Sequence, residues 1–275
     1  MSRLTTRFAP SPTGYLHRGH AFSALTAHEA ARAAGGRFLL RIEDIDAARC
    51  RPEYEAAIYE DLAWLGVAWE EPVRRQSEHL GDYREALEQL KAQGLLYRCF
   101  KTRKELAEIQ SAPHALPEVF RGEALHPREE DRFLDEGRPY AWRLSLDAAR
   151  AKVGNWAGLT FVEEGRGAVR AQPELAGDVV LARKDVGVAY HLAVVVDDAL
   201  QAITHVIRGE DLFEATHIQR LLQELLGLPT PVYRHHRLLV SADGKRFAKR
   251  DKSQTLREVR AGGVTAEQLR SELGL

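Results

Sequence analysis

The sequence predicts an α/β protein whose parallel sheet is interrupted by an inserted α+β segment, and three observations predict it. The chain opens as strand, glycine turn, helix, strand. After residue 176 a second series of apolar strands and an amphipathic helix follows, with runs suited to strands covered on both faces. Between the two series the periodicity dissolves.

Thr5 to Phe8 reads as a short strand, and Pro10, Pro12 and Gly14 force a turn. A helix runs from about Gly19 to Ala34 and stops at Gly35-Gly36, with Phe22, Leu25 and Ala33 suited to packing on a sheet. Arg37 to Ile42 is a second, largely apolar strand. This βαβ unit makes a Rossmann-type parallel sheet the default, with ligands at the carboxyl ends of the strands. The opening turn and Glu43-Asp44-Ile45-Asp46 then share one edge.

Pro52 to Leu65 and Leu80 to Gln93 read as helices, Leu95 to Phe100 as a strand, and Thr102 to Gln110 as a short helix. From Ser111 to Pro139 four prolines and scattered charges leave no pattern, and this reads as a partly irregular insertion. Pro139 to Leu146 and Gly158 to Glu164 are shorter strands, and Gly177 to Lys184 is another. Val188 to Asp198 starts as a strand and becomes a buried apolar segment, and Thr204 to Leu212 is a strand entering an acidic turn. Ala215 to Leu226 is an amphipathic helix ended by Gly227 and Pro229, and Tyr233 to Val240 is the last strand. Asp243-Gly244 turns into the basic cluster Lys245 to Lys252, and two short helices, about Thr255 to Ala261 and Thr265 to Leu273, close the chain. The expected division is 1–100, first half of the catalytic domain; 101–175, insertion; 176–240, second half; and 241–275, basic loop and helical tail.

At 275 residues, 44% hydrophobic and 29% charged, the chain can bury a core and falls outside the disordered range. A net charge of −1 supplies no overall field for nucleic acid, though local basic patches remain compatible with one. Cys50 and Cys99 alone argue for a reducing compartment, and no apolar run approaches a membrane span. A soluble cytoplasmic protein is the expectation.

The strongest chemical signal is the turn Arg7-Phe8-Ala9-Pro10-Ser11-Pro12-Thr13-Gly14-Tyr15-Leu16-His17-Arg18-Gly19-His20. It feeds a helix N-terminus, where unpaired N–H groups and the helix dipole favour phosphate. His17 and His20, one helical turn apart, can present both imidazoles to one ligand and follow the charge that builds on a reacting α-phosphate. Gly19 lets an adenine or ribose lie against the backbone. The bland alternative is a connection carrying two surface histidines. The second signal is Asp243 to Ser253, where five of eleven residues are cationic, suited to closing over a triphosphate and neutralising departing pyrophosphate. A solvated charge run or an RNA-backbone patch is the other reading of that loop.

These residues resemble the class I aminoacyl-tRNA synthetases. His17-Arg18-Gly19-His20 is similar to their HIGH signature, and Arg246-Phe247-Ala248-Lys249-Arg250 to KMSKS, which in glutamyl enzymes reads KLSKR. Lys249 and Arg250 match, Arg246 keeps the leading charge, and Ala248 loses the serine hydroxyl. Arg7 to Gly14, Arg41 to Asp46, Tyr190 to Asp198 and Val206 to Leu212 resemble the glutamyl branch specifically, so the match runs in order from Thr5 to about Ser253. The chain stops about 22 residues beyond, without the large anticodon-binding region of glutamyl-tRNA synthetases, which is the expectation for the truncated glutamyl-queuosine tRNA(Asp) synthetase branch.

The resemblance implies activation of L-glutamate with ATP and Mg²⁺, without tRNA, then esterification of glutamate to queuosine in the anticodon loop of tRNA(Asp). It implies His17, His20 and Lys249 as catalytic residues and Gly19 with them as ATP ligands. It implies Arg7, Phe8, Ala9, Pro10, Ser11, Glu43, Tyr190 and Arg208 as glutamate ligands. Charge supports this set: guanidinium groups match carboxylates, and Glu43 can pair with the ammonium group. A structural salt bridge is the alternative for Arg7 or Arg208 taken singly. Asp197-Asp198 read as ordering a turn, and Glu210-Asp211 as capping a helix.

The family usually holds a structural zinc between paired cysteines, a tyrosine and a further cysteine. Here Cys99 aligns with the first ligand, Lys101 stands where the second belongs, and no cysteine follows. His114 and His126 do not complete a four-ligand set, so zinc is expected to be absent. A monomer with no membrane association is expected. Two other functions fit the same residues: a short discriminating glutamyl-tRNA synthetase charging a tRNA 3′ end, and a non-catalytic RNA-binding or regulatory module.

Overall fold

A computed structural model describes residues 3–102, 105, 119–183, 187–239 and 254–275. The basic segment with Arg246, Ala248, Lys249 and Arg250 lies outside the described residues, as do Lys184, His114 and most of the Thr102 to Gln110 helix.

The central sheet begins with β1 (Thr5–Phe8) parallel to β2 (Arg37–Ile42), joined by α1 (Arg18–Ala33). Gly36 makes this connection tight, because a Cβ there would lie 2.3 Å from the Leu4 carbonyl oxygen. β2 is parallel to β3 (Glu70–Arg75), reached through α2 (Pro52–Trp64). On the other side of β1 lies β10 (His205–Gly209), the first strand of a second sheet, tied by the Thr204 amide to the Thr5 carbonyl at 2.9 Å and the Thr5 amide to Thr204 Oγ1 at 2.8 Å. β10 is parallel to β11 (Val232–His236), which touches β6 (Thr160–Glu163), itself antiparallel to β7 (Gly167–Arg170). A separate antiparallel sheet has the order β4 (Leu96–Cys99), β5 (Ala141–Leu144), β8 (Val180–Arg183), β9 (Gly187–Val188). Sheet membership therefore crosses residues 101 and 175 in both directions.

Helices cover both faces of the central sheet. On one, α1 packs Ala21, Ala24 and Leu25 against Phe8, Phe38, Leu40 and Ile42, joined by Ile58 and Leu62 of α2. The tail helices α8 (Leu256–Ala261) and α9 (Ala266–Leu273) enter this layer through Leu256, Leu269 and Leu273. On the other face lie α3 (Leu80–Ala92), α6 (Tyr190–Leu200) and α7 (Phe213–Leu226), with Leu90, Leu192 and Leu222 fully buried. Removing a side chain such as Leu25 or Leu222 would cost roughly 2–5 kcal/mol by the usual core-cavity penalty.

Four elements lie outside or against the sequence reading. β3 carries Glu70, Glu71, Arg74 and Arg75, the polarity of a sheet edge, and so lacks the apolar run of an inner strand. Within the expected irregular stretch, α4 (Pro127–Asp135) starts at a proline, accepts a cap from His126 and buries no residue, so apolar periodicity could not announce it. α5 (Leu146–Val153) is a short helix capped by Ser145 between two stretches read as strands. Val188 to Asp198 contains a single strand residue, Val188; from Tyr190 it is helix, buried from Leu192 to Asp198. No helix among the described residues is long and apolar enough to cross a membrane.

Candidate active site

His17 is the N-cap of α1, in extended conformation at φ −127° and ψ 178°. Its Nδ1 accepts from the Gly19 amide at 3.1 Å, and His20 Nδ1 accepts from the His17 amide at 3.1 Å. The two imidazoles thus form a capping box, a job usually done by a hydroxyl and a carboxylate. Each neutral ring, having Nδ1 occupied as acceptor, carries its proton on Nε2. The rings lie 3.8 Å apart between centroids. Gly19 is needed here for a reason beyond ligand access: a Cβ would come 3.0 Å from His17 Cε1.

At the start of the same turn, Arg7 projects from β1 into a buried charge cluster. Its Nε donates to Asp198 at 3.0 Å, and Asp198 also accepts from Arg41 Nη1 at 2.8 Å. Arg41 is fully buried and donates through Nη2 to Glu43 at 3.1 Å. Asp197 faces the other way, taking Arg74 Nε at 2.7 Å, Gln76 Nε2 at 2.7 Å and the Tyr83 hydroxyl at 2.9 Å. Both aspartates lie within α6 and hold arginines, whereas the sequence reads them as ordering a turn. Arg7 is ion-paired with Asp198 and also lines the cleft.

Burial opposes the charge on Asp198, but Arg7 and Arg41 outweigh it and hold the carboxyl below its usual range. Burial raises Glu43 despite Arg41 and Arg7. An incoming ammonium group beside Glu43 would favour its ionised form again. Arg41 has its pKa raised: burial works against its charge, and Asp198, Glu43 and Asp197 more than compensate.

Arg208 enters from β10, 5% exposed. Its Nη2 donates to Thr216 Oγ1 at 2.8 Å, Gln219 Oε1 at 2.9 Å and the Leu212 carbonyl at 3.2 Å; its Nη1 reaches the Tyr190 hydroxyl at 3.4 Å. Its Nε donates to His235 Nε2 at 3.2 Å.

These groups surround one cleft of about 480 Å³. Arg7, Glu43, Tyr190 and Arg208 line one part, and His17, Gly19 and His20 another, with Phe8 and Ala9 also at its wall. Ser11 lines two adjoining cavities that share Glu43 with it. Pro10 contributes its carbonyl, which accepts from the Glu43 amide at 3.0 Å and ties the turn to the exit of β2. Of the predicted site residues, only Lys249 lies outside the described residues. Among the described residues no group of three or more His, Cys, Asp or Glu side chains is placed to hold a metal ion.

Sequence reasoning missed Arg41, Thr216, Gln219, Glu163 and His235. The visible signal was a charged or polar residue inside an apolar strand or helix face, as with Arg41 between Leu40 and Ile42. Nothing in sequence spacing couples Glu163 to His235.

A parallel sheet with an arginine-lined cleft and a histidine-capped helix mouth at one edge is the arrangement of a class I synthetase catalytic domain. Residues 3–275 match the family described as tRNA synthetases class I (E and Q), catalytic domain, and the chain belongs to this family of ligases. It is 49% identical to the Glutamyl-Q tRNA(Asp) synthetase of Rhodobacter capsulatus, over 99% of this chain and 100% of that protein. It is 42% identical to the Glutamyl-Q tRNA(Asp) synthetase of Symbiobacterium thermophilum, over 96% of this chain and 83% of that one. The solved structure of a glutamate tRNA ligase from Elizabethkingia meningosepticum, in complex with its amino acid, superposes with a TM-score of 0.82 at 29% identity. That match covers 100% of this chain and 61% of the ligase.

Proposed function

We propose that the chain activates L-glutamate with ATP and transfers it to queuosine in tRNA(Asp). The observation that carries the activation step is the cleft that gathers Arg7, Arg208 and Glu43 beside a histidine-capped helix N-terminus. Arg7 and Arg208 bind the substrate carboxylates, Glu43 its ammonium group, and Tyr190 hydrogen-bonds beside them. The glutamate α-carboxylate attacks the ATP α-phosphorus, the α–β phosphoanhydride bond breaks, and pyrophosphate leaves. His17 and His20 donate from Nε2 to the phosphate oxygens as charge develops, and Lys249 assists the leaving pyrophosphate. Mg²⁺ arriving with ATP would screen its phosphates. Holding both reactants on one turn supplies the orientation an adenylate-forming step requires.

The acceptor is supported by likeness to the two Glutamyl-Q tRNA(Asp) synthetases along nearly their whole length. The proposed state is a zinc-free cytoplasmic monomer, for which elemental analysis of protein purified without chelator is the check on zinc. Glutamate-dependent ATP–pyrophosphate exchange in the absence of tRNA tests the activation step; no exchange without tRNA contradicts it.

A further inference from the structure

Arg208 meets a buried pair that the activation chemistry does not itself use. His235 of β11 and Glu163 of β6 have side chains only 2% and 4% exposed. Glu163 Oε1 accepts from the His235 amide at 2.8 Å, and its Oε2 lies 2.8 Å from His235 Nδ1. The opposite ring nitrogen, Nε2, lies 3.2 Å from Arg208 Nε and 3.3 Å from Thr216 Oγ1. Phe213 packs edge-on against the imidazole.

Only one protonation pattern satisfies both partners. Arginine Nε is a donor only, and an ionised carboxylate is an acceptor only. His235 must therefore be neutral, with its proton on Nδ1 and a lone pair on Nε2 aimed at Arg208. Burial first and Arg208 second push this imidazole down to about 4, against the pull of Glu163, which keeps it neutral near pH 7.

We infer that Glu163 and His235 are a positioning pair that fixes the Arg208 guanidinium for a carboxylate of the amino-acid substrate. Glu163 sets the tautomer of His235, and His235 takes the Nε–H of Arg208. With Nη2 held by Thr216 and Gln219, the fork cannot rotate away from the cleft. The pair acts through Arg208 and so rests on the proposed role of that residue in glutamate binding.

Glu163→Gln is the discriminating substitution because it conserves volume. Glu163 accepts from two donors, whereas an amide presents one acceptor and one donor. The variant must either lose the His235 amide bond or turn the ring nitrogen Nδ1 into an acceptor, placing an N–H on Nε2 against Arg208 Nε–H. Glutamate and ATP KM are measured by ATP–pyrophosphate exchange on full-length protein, and the His235 tautomer by ¹⁵N NMR. We expect Glu163→Gln to raise the glutamate KM about tenfold or more, the scale of one hydrogen bond to a charged group. The ATP KM stays within about twofold, and kcat falls less than KM rises. His235→Gln, which keeps an acceptor near the Nε2 position, loses less than His235→Leu. The wild-type ring shows the Nδ1–H tautomer. A Glu163→Gln glutamate KM within twofold of wild type, while Arg208→Leu raises it, overturns the positioning role; so does an Nε2–H tautomer in the wild type. An unchanged glutamate KM in Arg208→Leu instead overturns the reading of Arg208, and the inference with it.

Discussion

His17 and Thr255 are paired backbone to backbone in an isolated antiparallel bridge, and the neighbouring Leu256 amide donates to the Leu16 carbonyl at 2.8 Å. The start of the helix mouth is thereby fastened to the residue that opens α8. At the other flank of the basic segment, Leu239 lines the same cleft. The described residues flanking that segment thus meet the cleft through Leu239 and the helix mouth through Thr255.

The proposed role of Lys249 rests on the likeness of its segment to the second signature motif. Lys249→Ala is expected to slow ATP–pyrophosphate exchange by orders of magnitude with little change in glutamate affinity, since a cation acting on departing pyrophosphate contributes in the transition state. Exchange at the wild-type rate in the variant contradicts the role.

Gly19→Ala tests the capping box. The added methyl meets the His17 ring at 3.0 Å, so the ring must give by a few tenths of an ångström. Displacing a catalytic group by about 1 Å commonly costs about 10²-fold, so this smaller shift is expected to lower kcat by about tenfold or less, with a melting temperature near wild type. Unimpaired exchange would show that the ring orientation is irrelevant to the chemistry.

Asp198→Asn leaves Arg7 and Arg41 buried with one fewer counter-charge. The expected destabilisation is about 3 kcal/mol in urea titration near pH 7. The folded Asp198 carboxyl lies below its unfolded value, so its contribution is fully present above the unfolded pKa and lost as pH falls through the folded one. The gap between wild type and variant therefore narrows in acid. A constant gap down to pH 3 contradicts the ion-pair account.

Asp61 behaves in the opposite sense. It sits in α2, 1% exposed, and neither carboxylate oxygen has a hydrogen-bond partner among the described residues. Burial pushes it up to about 6, with Arg260 pulling the other way. Because the folded pKa lies above the unfolded one, this stabilising contribution is present below the unfolded value and lost as pH rises through about 6. Asp61→Asn is expected to raise stability at pH 8 by about 1 kcal/mol or more, the scale of relieving an unsatisfied buried group, and to have little effect at pH 4. Equal effects at the two pH values would contradict this assignment.

The βαβ opening was legible because Gly35-Gly36 punctuates a helix between two apolar strands, a local pattern. The charged β3 and solvent-facing α4 were not, since neither buries an apolar stripe. In the site, the histidine turn was visible from contiguous residues. The Arg7–Asp198 and Glu163–His235 pairs depend on strands brought together by topology, and no short-range spacing encodes them. Arg41 is the instructive case: a cation amid a buried strand announces a partner without saying where it lies.

The central claim is the acceptor. Labelled glutamate and ATP should be incubated with the protein and tRNA(Asp) that lacks its 3′-terminal adenosine, prepared with and without queuosine. The account predicts label on the queuosine-containing tRNA and none on its unmodified counterpart. Label that requires the 3′-terminal adenosine and ignores queuosine would contradict it.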